Sequence, residues 1–140
     1  MMNGDLTDMD TKMKTPTTSA PTVITAKNKA DEINRGRKEA QDRLARLNSK
    51  VYKAFLDMEK ATFCDGDLSK KNKELIAMAI GVAVNCESCM QWHMEQAKKE
   101  GATINEVLEA IEVAIEMGSG PVTVNARFAL EMMENYFGKI

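Results

Sequence analysis

Cys86-Glu87-Ser88-Cys89, followed by His93, are the residues of this chain whose types and spacing can do chemistry. Two thiols three residues apart lie about one helical turn from each other, close enough for their sulfurs to form a disulfide. With Asn85 as the helix cap, Cys86 stands in the first turn. Unpaired amides and the positive end of the helix dipole favour a thiolate there. His93 is the only histidine and is the i+4 neighbour of Cys89 on the same helix face. A neutral imidazole can take a thiol proton, and an imidazolium can stabilise the thiolate. The helix-dipole argument favours Cys86 as the attacking thiol, and the His93 argument favours Cys89. Glu74 lies at the polar edge of an apolar segment, twelve residues before Cys86. Desolvated there, it would serve as a base; solvated, it would pair with Lys70, Lys71 or Lys73.

Other chemistries fit these residues less well. Cys86, Cys89 and His93 supply three zinc ligands and Glu74 a fourth, but the second ligand pair of the usual structural zinc site is missing. A thioredoxin-type redox helix needs a βαβ pattern before its cysteines, and here an apolar helix precedes them. The zinc-deaminase signature is absent. Cys64, in the turn-forming segment Cys64-Asp65-Gly66-Asp67, reads as incidental. No cofactor and no bound metal are expected.

Helices must position these groups. Ile33, Ala40, Leu44, Leu47, Val51, Ala54 and Met58 recur at helical spacing from about Asp31, and Asn48-Ser49 divides them into helices over roughly 31–47 and 49–62. Ser69 caps a helix over roughly 70–84, whose second half, Leu75 to Val84, is apolar on every face and predicts burial all round. Gly81 inside it calls for a close helix–helix approach, since glycine costs about 1 kcal/mol relative to alanine there. The cysteine helix, 86–99, closes at Gly101. Thr103-Ile104-Asn105-Glu106 is a capping box for the next helix. Gly118-Ser119-Gly120 breaks that helix, and Pro121 suits the first turn of a last one to about Tyr136. No segment alternates like a strand, so an all-α fold of about six helices is expected. Residues 1–28 form a polar tail expected to be flexible, and 29–140 the helical domain.

Composition narrows the setting. A 140-residue chain suits one domain, and a net charge of -2 gives no general attraction to nucleic acid or an anionic membrane. The N-terminus has no apolar signal-peptide core, and no apolar run approaches a membrane span. A cytoplasmic protein is expected, in which three cysteines do not make a structural disulfide framework. Eleven methionines beside few aromatics suit the irregular gaps of a helical core. The all-apolar helix also predicts that the domain completes its core with a neighbouring subunit.

Glu74-Leu75-Ile76-Ala77-Met78-Ala79-Ile80, then Asn85-Cys86-Glu87-Ser88-Cys89, then His93, resemble the AhpD-like alkylhydroperoxidase group of the carboxymuconolactone decarboxylase superfamily. The spacing Glu-x11-Cys-x2-Cys-x3-His fits that family, as do Gly101-Ala102-Thr103 through Glu106 and the break Met117-Gly118-Ser119-Gly120-Pro121. The resemblance covers about residues 40–137. It implies an all-helical domain assembled as a homo-trimer or homo-hexamer. It also implies a Cys86/Cys89 pair cycling between dithiol and disulfide with Glu74 and His93 as proton relay. Some members carry a further histidine just before the second cysteine. Ser88 stands there in this chain, which alters any relay through that position.

The expected function is therefore a thiol-dependent peroxidase or disulfide reductase in antioxidant defence. Its partners would be a peroxide or disulfide substrate and an external thiol reductant. Two alternatives stay open: a lyase decarboxylating a small carboxylated substrate through His93 and Glu74, and a non-enzymatic helical oligomer with a zinc or redox-sensing site.

Overall fold

The computed structural model describes residues 25–139, and every element among them is helical. The helices are α1 (Ala26–Arg46), α2 (Lys50–Thr62), α3 (Lys70–Ala83), α4 (Glu87–Lys99) and α5 (Ile104–Phe137). α5 is kinked at Ser119, where φ is 54° and ψ −148°, so about six helical segments result, as the Gly-Ser-Gly-Pro stretch predicts. Most of the expected tail, 1–28, lies outside the described residues. α1 nevertheless opens at Ala26, capped by the Thr25 side chain, and so takes in the end of that tail and starts before Asp31.

α3 packs against α4 and α5, and α1 lies across α4 and α5. Their shared core is rich in methionine: Met78, Met90, Met94, Met132 and Met133 are all fully buried, beside Val82, Val107, Ile111 and Ala129. Flexible thioethers fill the uneven gaps between helices that an aromatic-poor chain would otherwise leave. α2 is different. It comes backbone-close only to α1 and contains no buried residue.

Three helices end in the same way. Asn48, Asn85 and Gly101 each follow a C-cap in the left-handed region, with φ of 54°, 57° and 83°. The next residue then donates its amide back into the last turn: Ser49 to Leu44, Cys86 to Gly81 and Ala102 to Ala97. This Schellman arrangement satisfies carbonyls that a helix end leaves open. It corrects the expected boundary at the cysteines. Asn85 does not cap α4; it terminates α3, and Cys86 is the cap. The left-handed conformation that asparagine tolerates outweighs its capping tendency here.

α3 is not buried on every face. Glu74, Met78, Gly81 and Val82 face inward, while Ile76, Ile80 and Val84 are exposed in the single chain. Gly81 does sit at a close approach. A Cβ there would lie 3.1 Å from the Met90 backbone nitrogen and 3.2 Å from the Cys89 Cβ.

Candidate functional site

Cys86 is held from both sides. Its N–H donates to the Gly81 carbonyl of α3 at 2.9 Å, and its own carbonyl accepts the first bond of α4 from Met90 at 2.9 Å. Its sulfur accepts the Cys89 N–H at 3.2 Å, the role an oxygen usually plays at a helix cap. The residue thus closes one helix and opens the next. Cys86 and Cys89 are joined by a disulfide, with Cα atoms 5.2 Å apart. Asn125 of α5 adds a tie, donating its side-chain amide to the Val82 carbonyl at 3.1 Å.

His93 and Glu74 meet between α4 and α3. His93 Nδ1 lies 2.7 Å from Glu74 Oε2, and the two side chains are 16% and 3% exposed. A carboxylate accepting from Nδ1–H fixes the imidazole's tautomer and orientation, and leaves Nε2 for other work. Glu74 is therefore no solvated edge residue. The neighbouring lysines do not pair with it: Lys70 bonds Glu100, Lys71 bonds Glu106, and Lys73 donates to the Cys64 carbonyl. Those contacts tie the start of α3 to the α4–α5 connection and to the loop before it, so Glu74 is carried inward with His93 as its polar partner. The Phe63 ring, at the end of α2, packs on the imidazole with centroids 4.9 Å apart.

A cavity of about 470 Å3 opens beside these groups, between α1, α2 and α4. Cys89, Ser88 and His93 line it, and Cys86 does not. Phe55, Met58, Phe63 and Trp92 give it apolar walls, and Arg37, Gln41, Glu59 and Thr62 complete it. Sequence reading missed this wall. Its residues come from three elements, and the only signal was the amphipathic pattern of α2. Cys64 is exposed and its thiol donates to the Ala61 carbonyl, apart from the disulfide. Among the described residues, no three histidine, cysteine or carboxylate side chains are grouped to hold a metal ion. The four-ligand zinc set considered from the sequence is not gathered in this disulfide-bonded form. No helix among the described residues is long and apolar enough to cross a membrane.

A second polar group lies on the other side of α4. Gln91 is fully buried and donates to the Tyr136 hydroxyl and to Glu95, which also accepts from Tyr136. Burial pushes the Tyr136 phenol above its ordinary value; the Gln91 bond opposes this and the nearby Glu95 charge adds to it. The net pull on Glu95 is downward: burial opposes ionisation, but bonds and charge from Lys99 outweigh it. This network fastens α4 to the end of α5.

Comparison with known proteins fits this architecture. Residues 49–132 match the model of the carboxymuconolactone decarboxylase family. An uncharacterised protein of the cox locus in Paracoccus denitrificans is 37% identical over 94 residues, 67% of this chain and 85% of that one. An uncharacterised protein of Cupriavidus necator is 37% identical over 87 residues, 62% of this chain and 77% of its own. Among solved structures, an apo carboxymuconolactone decarboxylase family protein of Legionella pneumophila superposes with a TM-score of 0.74 at 35% identity, covering 80% of this chain and 99% of that one. A family protein of Thermotoga maritima, described with a possible part in the antioxidative response, gives a TM-score of 0.68 at 26% identity, over 74% of this chain and 88% of its own.

Proposed function

The chain belongs to the carboxymuconolactone decarboxylase family, and we propose that it is a thiol-dependent peroxidase or disulfide reductase of the antioxidant kind. One observation carries the reading: Cys89, disulfide-bonded to Cys86 at the start of α4, shares a cavity wall with a histidine whose Nδ1 is held by a buried carboxylate. The antioxidative description of the Thermotoga protein supports it.

In the reduced protein Cys89 is the attacking thiol, because it lines the cavity and Cys86 does not. His93 takes the Cys89 proton, and Glu74 balances the imidazolium through Nδ1. The thiolate attacks the outer oxygen of a hydroperoxide. A sulfur–oxygen bond forms as the O–O bond breaks, and the departing alkoxide takes the proton from His93 to leave as an alcohol. The Cys86 thiol then attacks the sulfenic sulfur; the S–S bond forms, and hydroxide leaves with the Cys86 proton as water. Two thiols are oxidised and one peroxide is reduced. A disulfide substrate follows the same course through a mixed disulfide. An external thiol reductant returns two electrons and two protons to Cys86–Cys89. The cycle belongs in the cytoplasm, where such thiols are kept reduced.

The working form is a homo-oligomer, a trimer or hexamer. Ile76, Ile80 and Val84 line up at helical spacing on the outside of α3, and Val113 and Met117 are exposed on α5. Apolar surface of that kind suits a subunit contact.

The test is turnover of an organic hydroperoxide with a dithiol reductant. Cys89→Ser abolishes it. Full activity in that variant sinks the proposal, and decarboxylation of a small carboxylated substrate by the Cys86→Ser/Cys89→Ser double variant points to lyase chemistry instead.

A further inference from the structure

We propose that Arg37 anchors an anionic group, and that the cavity takes an apolar molecule carrying a carboxylate at the end remote from its reacting bond. The inference rests on the thiol-redox reading for the end that reacts, and adds the class of molecule that binds.

Arg37 lines the same cavity as Cys89 and His93. Its guanidinium carbon lies 3.8 Å from the centroid of the Trp92 ring, so the cation sits over an aromatic face. Its Nη2 donates to the Asn34 Oδ1 at 2.6 Å. Its Nε is buried and has no hydrogen-bond partner. A buried donor left unmade is costly, more so on a charged group. Among the described residues no carboxylate comes within 4.0 Å of Arg37, although Glu59 lines the same cavity. The guanidinium therefore lies over Trp92 and is tied at one corner by Asn34, with no carboxylate among the described residues balancing its charge where it lines the cavity. A planar, charged fork of that kind matches a carboxylate, which would accept from the guanidinium N–H groups that face the cavity. The rest of the lining suits what a carboxylate would bring with it. Phe55, Met58, Phe63 and the Trp92 ring offer apolar surface for a hydrocarbon chain between the guanidinium and Cys89. The substrate this selects is an organic hydroperoxide or disulfide with an acid at its far end. A small neutral peroxide would leave the Arg37 charge without a counterion.

Trp92 is the sole tryptophan, so its fluorescence reports the cavity directly. Full-length protein in the disulfide form is titrated with octanoate and with octanamide, its neutral isostere. Octanoate is expected to bind roughly ten- to a hundredfold more tightly, the range given by a hydrogen bond to a charged partner. Arg37→Gln abolishes that preference and leaves octanamide binding near its wild-type value, which also shows that the cavity is intact. Added salt erodes the octanoate preference in the wild type, and this arm holds even where the variant fails to fold. Octanoate binding no more tightly than octanamide, or binding Arg37→Gln as well as wild type, overturns the proposal. The titration involves no turnover, so protein inert toward hydroperoxides can still show the octanoate preference. Loss of the peroxidase reading and loss of the anion site are thus separate results.

Discussion

Replacing Glu74 by Gln should separate what this side chain does for stability from what it does for chemistry. Oε2 lies 2.7 Å from His93 Nδ1, with both side chains largely withdrawn from water. Gln keeps the volume and still offers a carbonyl oxygen to Nδ1–H, but it removes the negative charge. A hydrogen bond to a charged partner contributes about 1.5–3 kcal/mol and a neutral one about 0.5–1.5, so Glu74→Gln should cost roughly 1 kcal/mol of stability. Glu74→Ala leaves Nδ1–H unpaired beside a new cavity, and should cost about 2–4 kcal/mol. The rate should behave differently. A positioned general base contributes about 10²–10⁴-fold, and without the carboxylate the imidazolium formed on taking the thiol proton is no longer balanced. Glu74→Gln should therefore slow oxidation of the reduced pair by a hydroperoxide on the order of 100-fold. Urea unfolding gives the first quantity and stopped-flow loss of free thiol the second. A Gln variant oxidised at the wild-type rate, or one slowed only in proportion to its unfolded fraction, would refute the relay.

Other consequences follow from packing and titration. Gly81→Val places a branched side chain where a lone Cβ already meets the Met90 nitrogen and the Cys89 Cβ; chemical denaturation should show a loss of about 1–3 kcal/mol, and an unchanged midpoint would contradict the close approach of α3 and α4. The Glu106 carboxyl is held below its ordinary range, first by the Lys71 side-chain bond and then by the Thr103 amide. Its contribution is present above the unfolded carboxylate value and lost as pH falls through the lower folded one, so Glu106→Gln should flatten the acid limb of a stability profile. Tyr136 has the opposite sense. Burial raises its folded value, so the unfolded chain ionises first and stability is lost as pH climbs above about 10. Tyr136→Phe should reduce that alkaline loss, read as the urea midpoint across the alkaline range.

The cysteine–histidine part of the site was legible because it lies within one helix. Cys86, Cys89 and His93 share a face by spacing alone, and helical geometry does the rest. Glu74 was harder. Its burial depends on α3 pressing against α4 at Gly81 and on Lys70 and Lys71 being drawn away to Glu100 and Glu106, both contacts between distant segments. Asn85 misled by one position, since asparagine suits both the start of one helix and the left-handed end of another, and only the Cys86–Gly81 hydrogen bond decides between them. The all-α fold and the break before Pro121 followed from glycine, proline and apolar periodicity. The exposure of Ile76 and Ile80 did not, because an apolar run does not say which of its faces the same chain covers. Arg37 and Trp92 lie 55 positions apart and have no pattern in common; only the fold brings them together.

α2 supplies part of the cavity wall, yet no residue of it belongs to the core. Substitutions at Phe55, Met58 or Thr62 therefore cost far less folding free energy than substitutions at Met90 or Met94, which the core encloses. On the proposed function, the reacting atoms stand on helices that tolerate little change, and part of the selectivity on one that tolerates much. Substitution along α2 alone would then alter what the cavity takes, with the α3–α4 frame and its cysteine junction left untouched.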